Sequence, residues 1–240
     1  MIDRETFSSA FLNADCMEVM KNYPDNFFDL AIVDPPYGGA NADSTRGGWM
    51  ANDRQDTVRR TLRQVQEVYR TGGTWASKYG KKIIAWDTAP GKEYFDELFR
   101  VSRNQIIWGG NYFTLPPTRC FIIWKKLTIS ENFTMAMAEY AWTSFNDNAK
   151  IFECAPQGGT EQRFHPTQKP VALYRWILER YAKPGDIILD THVGSASSLI
   201  ACHQTGHRYL GTEIDEVYYE QAKKRLEAEE AQTTIYDFIK

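Results

Sequence analysis

The sequence predicts an α/β fold on a mostly parallel sheet, with antiparallel strands toward one edge. Short apolar runs alternate with stretches of helical periodicity along most of the chain, the pattern of strands covered on both faces by crossover helices. Between residues 104 and 143 strands follow one another with little helix between them, and strands joined by short connections pair antiparallel. Apolar residues make up 42% of the 240 positions, enough for one packed core and too many for a disordered chain.

The elements follow in order. A short strand near residues 10–13 precedes the apolar strand 28–33. Val58, Leu62, Val65 and Tyr69 recur at helical spacing, so a helix is expected over 55–70, capped at Asp56 or Thr57 and stopped by Gly72-Gly73. A strand at 81–86 and a helix at 91–101 lead into strands at 104–108, 120–125 and 136–143. Pro170 suits the first turn of a helix over 170–182, and Lys183-Pro184-Gly185 stops it. Strand 186–190, helix 196–205, strand 207–212 and helix 215–230 complete a chain expected to form a single domain over residues 1–240.

Chemistry concentrates at two strand ends. Asp34-Pro35-Pro36-Tyr37-Gly38 follows directly on the strand ending at Val33. The two prolines fix φ and remove two donors, which holds a carboxylate and an aromatic ring in a set relation. That pairing suits a flat nitrogen heterocycle with an exocyclic amine, because the ring stacks and the amine donates. An ordinary strand-ending turn would use the same residue types. At the far end, Asp190 closes a strand, Thr191-His192-Val193-Gly194-Ser195 turns, and a helix begins near Ala196. Glu213 ends the next strand, where an acid can take the hydroxyls of a ribose. A plain βαβ unit with a solvated Glu213 is the alternative.

Composition narrows the classes. The four cysteines are scattered with no C-x-x-C pair, so neither a metal site nor a disulfide framework is indicated. No apolar run is long enough to span a membrane and no signal-peptide pattern opens the chain, which fits a cytoplasmic protein without membrane attachment. The net charge of −3 hides a segregation: residues 41–82 carry nine bases and four acids, net +5, whereas residues 211–240 are net −4. Arg46, Arg54, Arg59, Arg63 and Arg70 are therefore candidate phosphate contacts for a nucleic acid.

Together these pieces resemble the DNA amino-methyltransferases, which use S-adenosylmethionine to methylate N6 of adenine or N4 of cytosine. Asp34-Pro35-Pro36-Tyr37 matches the catalytic motif. Leu189 to Ser198 is similar to the cofactor loop, with Thr191, His192 and Ala196 in place of the usual Pro, Phe and second Gly. His165-Pro166-Thr167-Gln168-Lys169-Pro170 resembles the segment packing on the methionine end of the cofactor, and Asn13-Ala14-Asp15-Cys16 the motif whose acid approaches its adenine. The resemblance covers residues 11–38 and 163–226 well and the middle loosely. It implies a Rossmann-like S-adenosylmethionine methyltransferase fold, circularly permuted with the catalytic motif first, as in the β group. The catalytic half would be residues 27–145. The cofactor half would be 163–226 plus the strand near residue 12. The implied catalytic residues are Asp34, Pro35, Pro36 and Tyr37, and the implied cofactor residues are Asp15, Asp34, His165, Thr167, Gln168, Lys169, Asp190, Thr191, His192, Gly194, Ser195 and Glu213.

An acid at the start of the catalytic motif leans the expected target toward N6 of adenine, with N4 of cytosine as the alternative. Segments 41–80 and 126–163 are the candidate DNA-contacting insertions, and so small a chain leaves room for a homodimer. A nicotinamide oxidoreductase, a methyltransferase of RNA or protein amides, and an inactive DNA-binding relative remain as rival readings.

Overall fold

The structure, a computed structural model, describes residues 2–38, 88–131, 136–156, 164–165 and 167–232. The expected helix over 55–70, the strand at 81–86 and the five arginines lie outside the described residues. The chain divides into two compact units, Met1–Pro35 with Gly91–Lys240, and Pro36–Pro90. In the smaller unit Gly38 has φ +74°, and a Cβ there would stand 3.2 Å from that of Ala89, so glycine permits the close approach of the unit's two ends.

The larger unit holds one eight-stranded sheet. Its elements are β1 (Ala10–Asn13), α1 (Cys16–Met20), β2 (Phe28–Val33), α2 (Lys92–Val101), β3 (Ser102–Trp108), β4 (Phe121–Lys126), β5 (Ala138–Thr143), β6 (Lys150–Cys154), α3 (Val171–Tyr181), β7 (Ile187–Asp190), α4 (Ser197–Thr205), β8 (Arg208–Glu213) and α5 (Glu216–Glu230). The strand order is β1-β8-β7-β2-β3-β5-β4-β6. The first five strands in that order run parallel, and β5 is antiparallel to both β3 and β4. The amino-terminal β1 lies against β8, the last strand among the described residues, which completes the sheet in the permuted manner expected.

The apolar runs follow from burial on both faces. Leu30, Ile32, Ile106, Trp108 and Ile188 point into a core shared with Leu173, Ile177 and Leu199 of α3 and α4. Their neighbours Ala31, Val33, Ile107, Ile187 and Leu189 point the other way, against Met20 of α1 and Tyr94, Phe95 and Leu98 of α2. At Gly211 a Cβ would fall 2.7 Å from Leu199 Cδ1 and 2.8 Å from Val193 Cγ2. Glycine there lets α4 and the loop before it lie close on β8.

Among the described residues, two elements of four residues or more escaped the sequence reading. Strand β6 lies within 126–163, and Ile151 in it is 64% exposed. An edge strand faces solvent along one side and need not carry the unbroken apolar run that marks an interior one. Helix α1 is five residues long, too short for periodicity, and is set by its cap: Asp15 Oδ1 accepts the Met17 N–H at 2.8 Å. Pro170 stands one place earlier than expected, at the N-cap with ψ 142°, rather than inside the first turn.

Candidate functional site

The order of strands reverses between β7 and β2. The chain moves outward from β7 to β8 on one side and from β2 to β3 on the other. In open α/β sheets the crevice at the carboxyl ends of such a pair is where ligands bind. Asp34 follows β2, Asp190 closes β7 and Glu213 closes β8, so three acids end three consecutive strands. Asp15 follows β1, the fourth strand of this group, with its carboxylate committed to capping α1.

The loop after β7 is held from every side. Asp190 is 3% exposed; its Oδ1 accepts the His192 N–H at 3.0 Å and its Oδ2 accepts the Ser198 hydroxyl. Burial pushes its carboxyl up to about 7, with Asp34 and Glu213 adding repulsion against the two hydrogen bonds. Thr191 shares its hydroxyl with Tyr94 of α2 at 2.6 Å and with His192 Nδ1 at 2.9 Å, and its carbonyl accepts from Thr212. Tyr94 also meets the His192 ring edge-on at 5.4 Å. Burial pulls that imidazole down to about 4, so it is neutral at physiological pH. Thus Thr191 and His192, two of the three departures from the resembled pattern, are tied to α2 through one tyrosine.

Gly194 has φ +56° and donates its N–H to Glu213 Oε2 at 2.8 Å. Glu213 Oε1 accepts the Asp215 N–H at 3.0 Å, and burial raises its carboxyl above the usual range despite these bonds. A Cβ on Gly194 would stand 3.2 Å from the His165 ring, which packs edge-on against Tyr218 of α5 at 4.3 Å. Ser195 is buried, bonds to the Ser197 hydroxyl and gives its carbonyl to Arg225. Gln168 is buried too, its side-chain carbonyl accepting from the Phe164 N–H, whereas Thr167 is exposed beside His165 Nδ1.

Lys169 goes elsewhere. Although it belongs to the His165 segment, its ammonium is 3% exposed and pairs with Asp34 Oδ2, 3.2 Å from Glu139 Oε2 and 5.1 Å from the centre of the Trp108 ring. Burial alone would favour the neutral amine; Asp34 and Glu139 outweigh it and raise its pKa, which keeps it charged. Glu139 in turn pairs with Lys126 at 2.6 Å. Neither Glu139 nor Lys126 sits in a motif, and isolated charges in strand-like runs give no sequence signal of a site. The same holds for Tyr94, which reads as one apolar position of α2.

An open, mostly parallel sheet with a glycine loop and an acid–proline turn at its switch point is the arrangement of the Rossmann-like methyltransferase fold. A family model described as DNA methylase, of the N6/N4 methyltransferases, matches residues 139–224, which include the His165 segment, the Gly194 loop and Glu213. The type II methyltransferase M.HpaI of Haemophilus parainfluenzae is 27% identical over 90% of this chain and 73% of its own length. Among solved structures, the cytosine-N4-specific PvuII DNA methyltransferase superposes with TM-score 0.57 at 10% identity, covering 96% of this chain and 88% of its own. The M1.HpyAVI–SAM complex does so with TM-score 0.51 at 20% identity, covering 90% and 98%. By these likenesses the chain is similar to the N6/N4 DNA methyltransferases in sequence, and it shares the fold of the solved ones.

Proposed function

We propose that this chain transfers a methyl group from S-adenosylmethionine to the exocyclic amine of a base flipped out of DNA, N6 of adenine being the target. The observation that carries the reading is the pairing of β7 with β2, whose carboxyl ends bear Asp190 and Asp34. Two unrelated loops would have no need to share the switch point.

The residues present fit the cofactor. Asp15, Asp190 and Glu213 have no ion-pair partner among the described residues. Such an acidic mouth suits a ligand carrying a sulfonium, an ammonium and ribose hydroxyls, and it opposes the pyrophosphate of a nicotinamide dinucleotide. S-adenosylmethionine, when bound, supplies an electrophilic methyl group. Glu213 would accept the ribose hydroxyls, Asp190 and the 191–195 loop would hold the methionine end with His165 beneath them, and Asp15 would approach the adenine.

An exocyclic base amine is a poor nucleophile because its lone pair is delocalised into the ring. Asp34 and the Pro35 carbonyl each accept one of its N–H groups, drawing the nitrogen toward tetrahedral geometry and aiming the lone pair. Tyr37 stacks on the extruded base. Arg46, Arg54, Arg59, Arg63 and Arg70 contact phosphates. The acid at the head of the catalytic motif is the commoner form among adenine enzymes and supports that target.

The test is methylation of DNA of varied sequence, read by nucleoside mass spectrometry, beside calorimetry with S-adenosylmethionine and NAD. N6-methyladenine and binding of S-adenosylmethionine alone are expected. N4-methylcytosine would move the target to cytosine, and binding of NAD alone would overturn the reading.

A further inference from the structure

We propose that Glu139, on β5, is a positioning residue for methyl transfer that acts on Asp34 through Lys169. The inference rests on the role given to Asp34 above. Four charges of alternating sign run in line: Lys126 to Glu139 Oε1 at 2.6 Å, Glu139 Oε2 to Lys169 at 3.2 Å, and Lys169 to Asp34 Oδ2. Both lysines are nearly sealed from solvent, at 6% and 3%. Each ammonium also lies 5.1 Å from the centre of an indole ring, Lys126 at Trp124 and Lys169 at Trp108. The cations are therefore confined, and the charge they deliver is directed by the carboxylates beside them.

Lys169 alone would be a mixed gift to Asp34. It fixes the carboxylate, but a cation in direct contact also neutralises the negative charge that must hold the amine as positive charge develops on it. Glu139 draws on the same ammonium. Lys169 can then anchor Asp34 without quenching it. Burial would push the Glu139 carboxyl up, yet Lys169 and Lys126 outweigh that and hold it below the usual range, so it is ionised at neutral pH. Stability alone is a weak reason for such a chain, since buried ion pairs are often replaceable by apolar side chains without loss.

Glu139→Gln keeps the shape and removes the charge. In single-turnover assays at saturating cofactor and DNA it should slow methyl transfer roughly 10- to 100-fold, the worth of one charge-assisted contact, while both dissociation constants stay at wild-type values. Lys126→Met should act with the opposite sign: Glu139, released from Lys126, holds Lys169 more fully and transfer speeds up. A merely structural network would make both variants slower and raise both dissociation constants. A readout independent of the reaction is the 13C carboxyl resonance of Asp34, identified by its loss in Asp34→Asn. It should move in Glu139→Gln without DNA or cofactor. A wild-type rate in Glu139→Gln, equal slowing in both variants, or an unmoved resonance overturns the inference. If the wild-type protein methylates no DNA, the functional reading fails and the resonance still decides this one. If Glu139→Gln does not fold, the sign of the Lys126→Met effect decides instead.

Discussion

Gly194 donates its backbone N–H to the carboxylate of Glu213 at 2.8 Å, nineteen residues away along the chain. The acid at the end of β8 is thereby fastened to the loop that leaves β7, so loop and acid form one preorganised surface.

If Glu213 takes the ribose hydroxyls as proposed, Glu213→Ala should weaken S-adenosylmethionine binding by about 1–3 kcal/mol, because those hydroxyls would lose a charged acceptor and the loop its tether. Calorimetry on the folded variant checks it. Unchanged affinity would remove Glu213 from the cofactor site.

On the proposed role of Asp34, which acts where charge develops, Asp34→Ala should leave cofactor affinity close to wild type and cut methyl transfer by orders of magnitude. Lys169 keeps Glu139 as a partner in this variant, so the fold should survive. Single-turnover rates with saturating cofactor give the answer, and a wild-type rate would refute the catalytic role. Tyr37→Phe should keep most of the activity and Tyr37→Ala should lose base capture, by roughly 1–3 kcal/mol of stacking.

The pH dependence of stability should expose two opposed groups. The Asp190 carboxyl, raised to about 7, favours the folded state at low pH, and that contribution is lost as pH climbs from its unfolded value near 3.8 through 7. His192, lowered to about 4, works the other way: stability falls as pH drops from 6.5 through 4. The two offset each other over most of that window. His192→Phe removes one of them, so its stability should decline between pH 4 and 7 more steeply than that of the wild type. Denaturant titrations across this range test it, and parallel curves would reject the assignment of the opposing slope to His192.

Loop substitutions should separate backbone from side-chain effects. Ala196 adopts φ 63° while fully buried, a conformation that costs a non-glycine residue about 1–2 kcal/mol. Ala196→Gly relieves that strain and loses a methyl burial worth about 0.8 kcal/mol, so stability should change by less than about 1 kcal/mol. Gly194→Ala should be clearly destabilising, because the new Cβ meets the His165 ring as well as an unfavourable φ. Thermal melts compare the pair directly; equal effects would contradict the different surroundings of the two positions.

Reversing Arg59 and Arg63 to Glu should weaken binding to all DNA sequences and flatten the dependence of affinity on salt. An unchanged salt slope would mean that DNA approaches by another surface.

The sequence by itself determined the elements that face apolar matter on both sides. Residues 28–33 and 186–190 could be read because burial on two faces demands an unbroken apolar run, and the acids at their ends stood out because charge follows that run abruptly. Motif spacing likewise placed Asp190, Gly194 and Glu213 together at the carboxyl end of the sheet. Strand β6 and helix α1 were not legible, since an edge strand and a five-residue helix are set by pairing and by one cap rather than by periodicity. Only the tertiary structure decided that Lys169 turns from its own segment to Asp34, that Glu139 and Lys126 stand behind it, and that Tyr94 reaches across to Thr191 and His192. Those partners lie on strands and helices far apart in the chain, and ion pairs and hydrogen bonds act through a few ångströms of space with no regard for sequence separation.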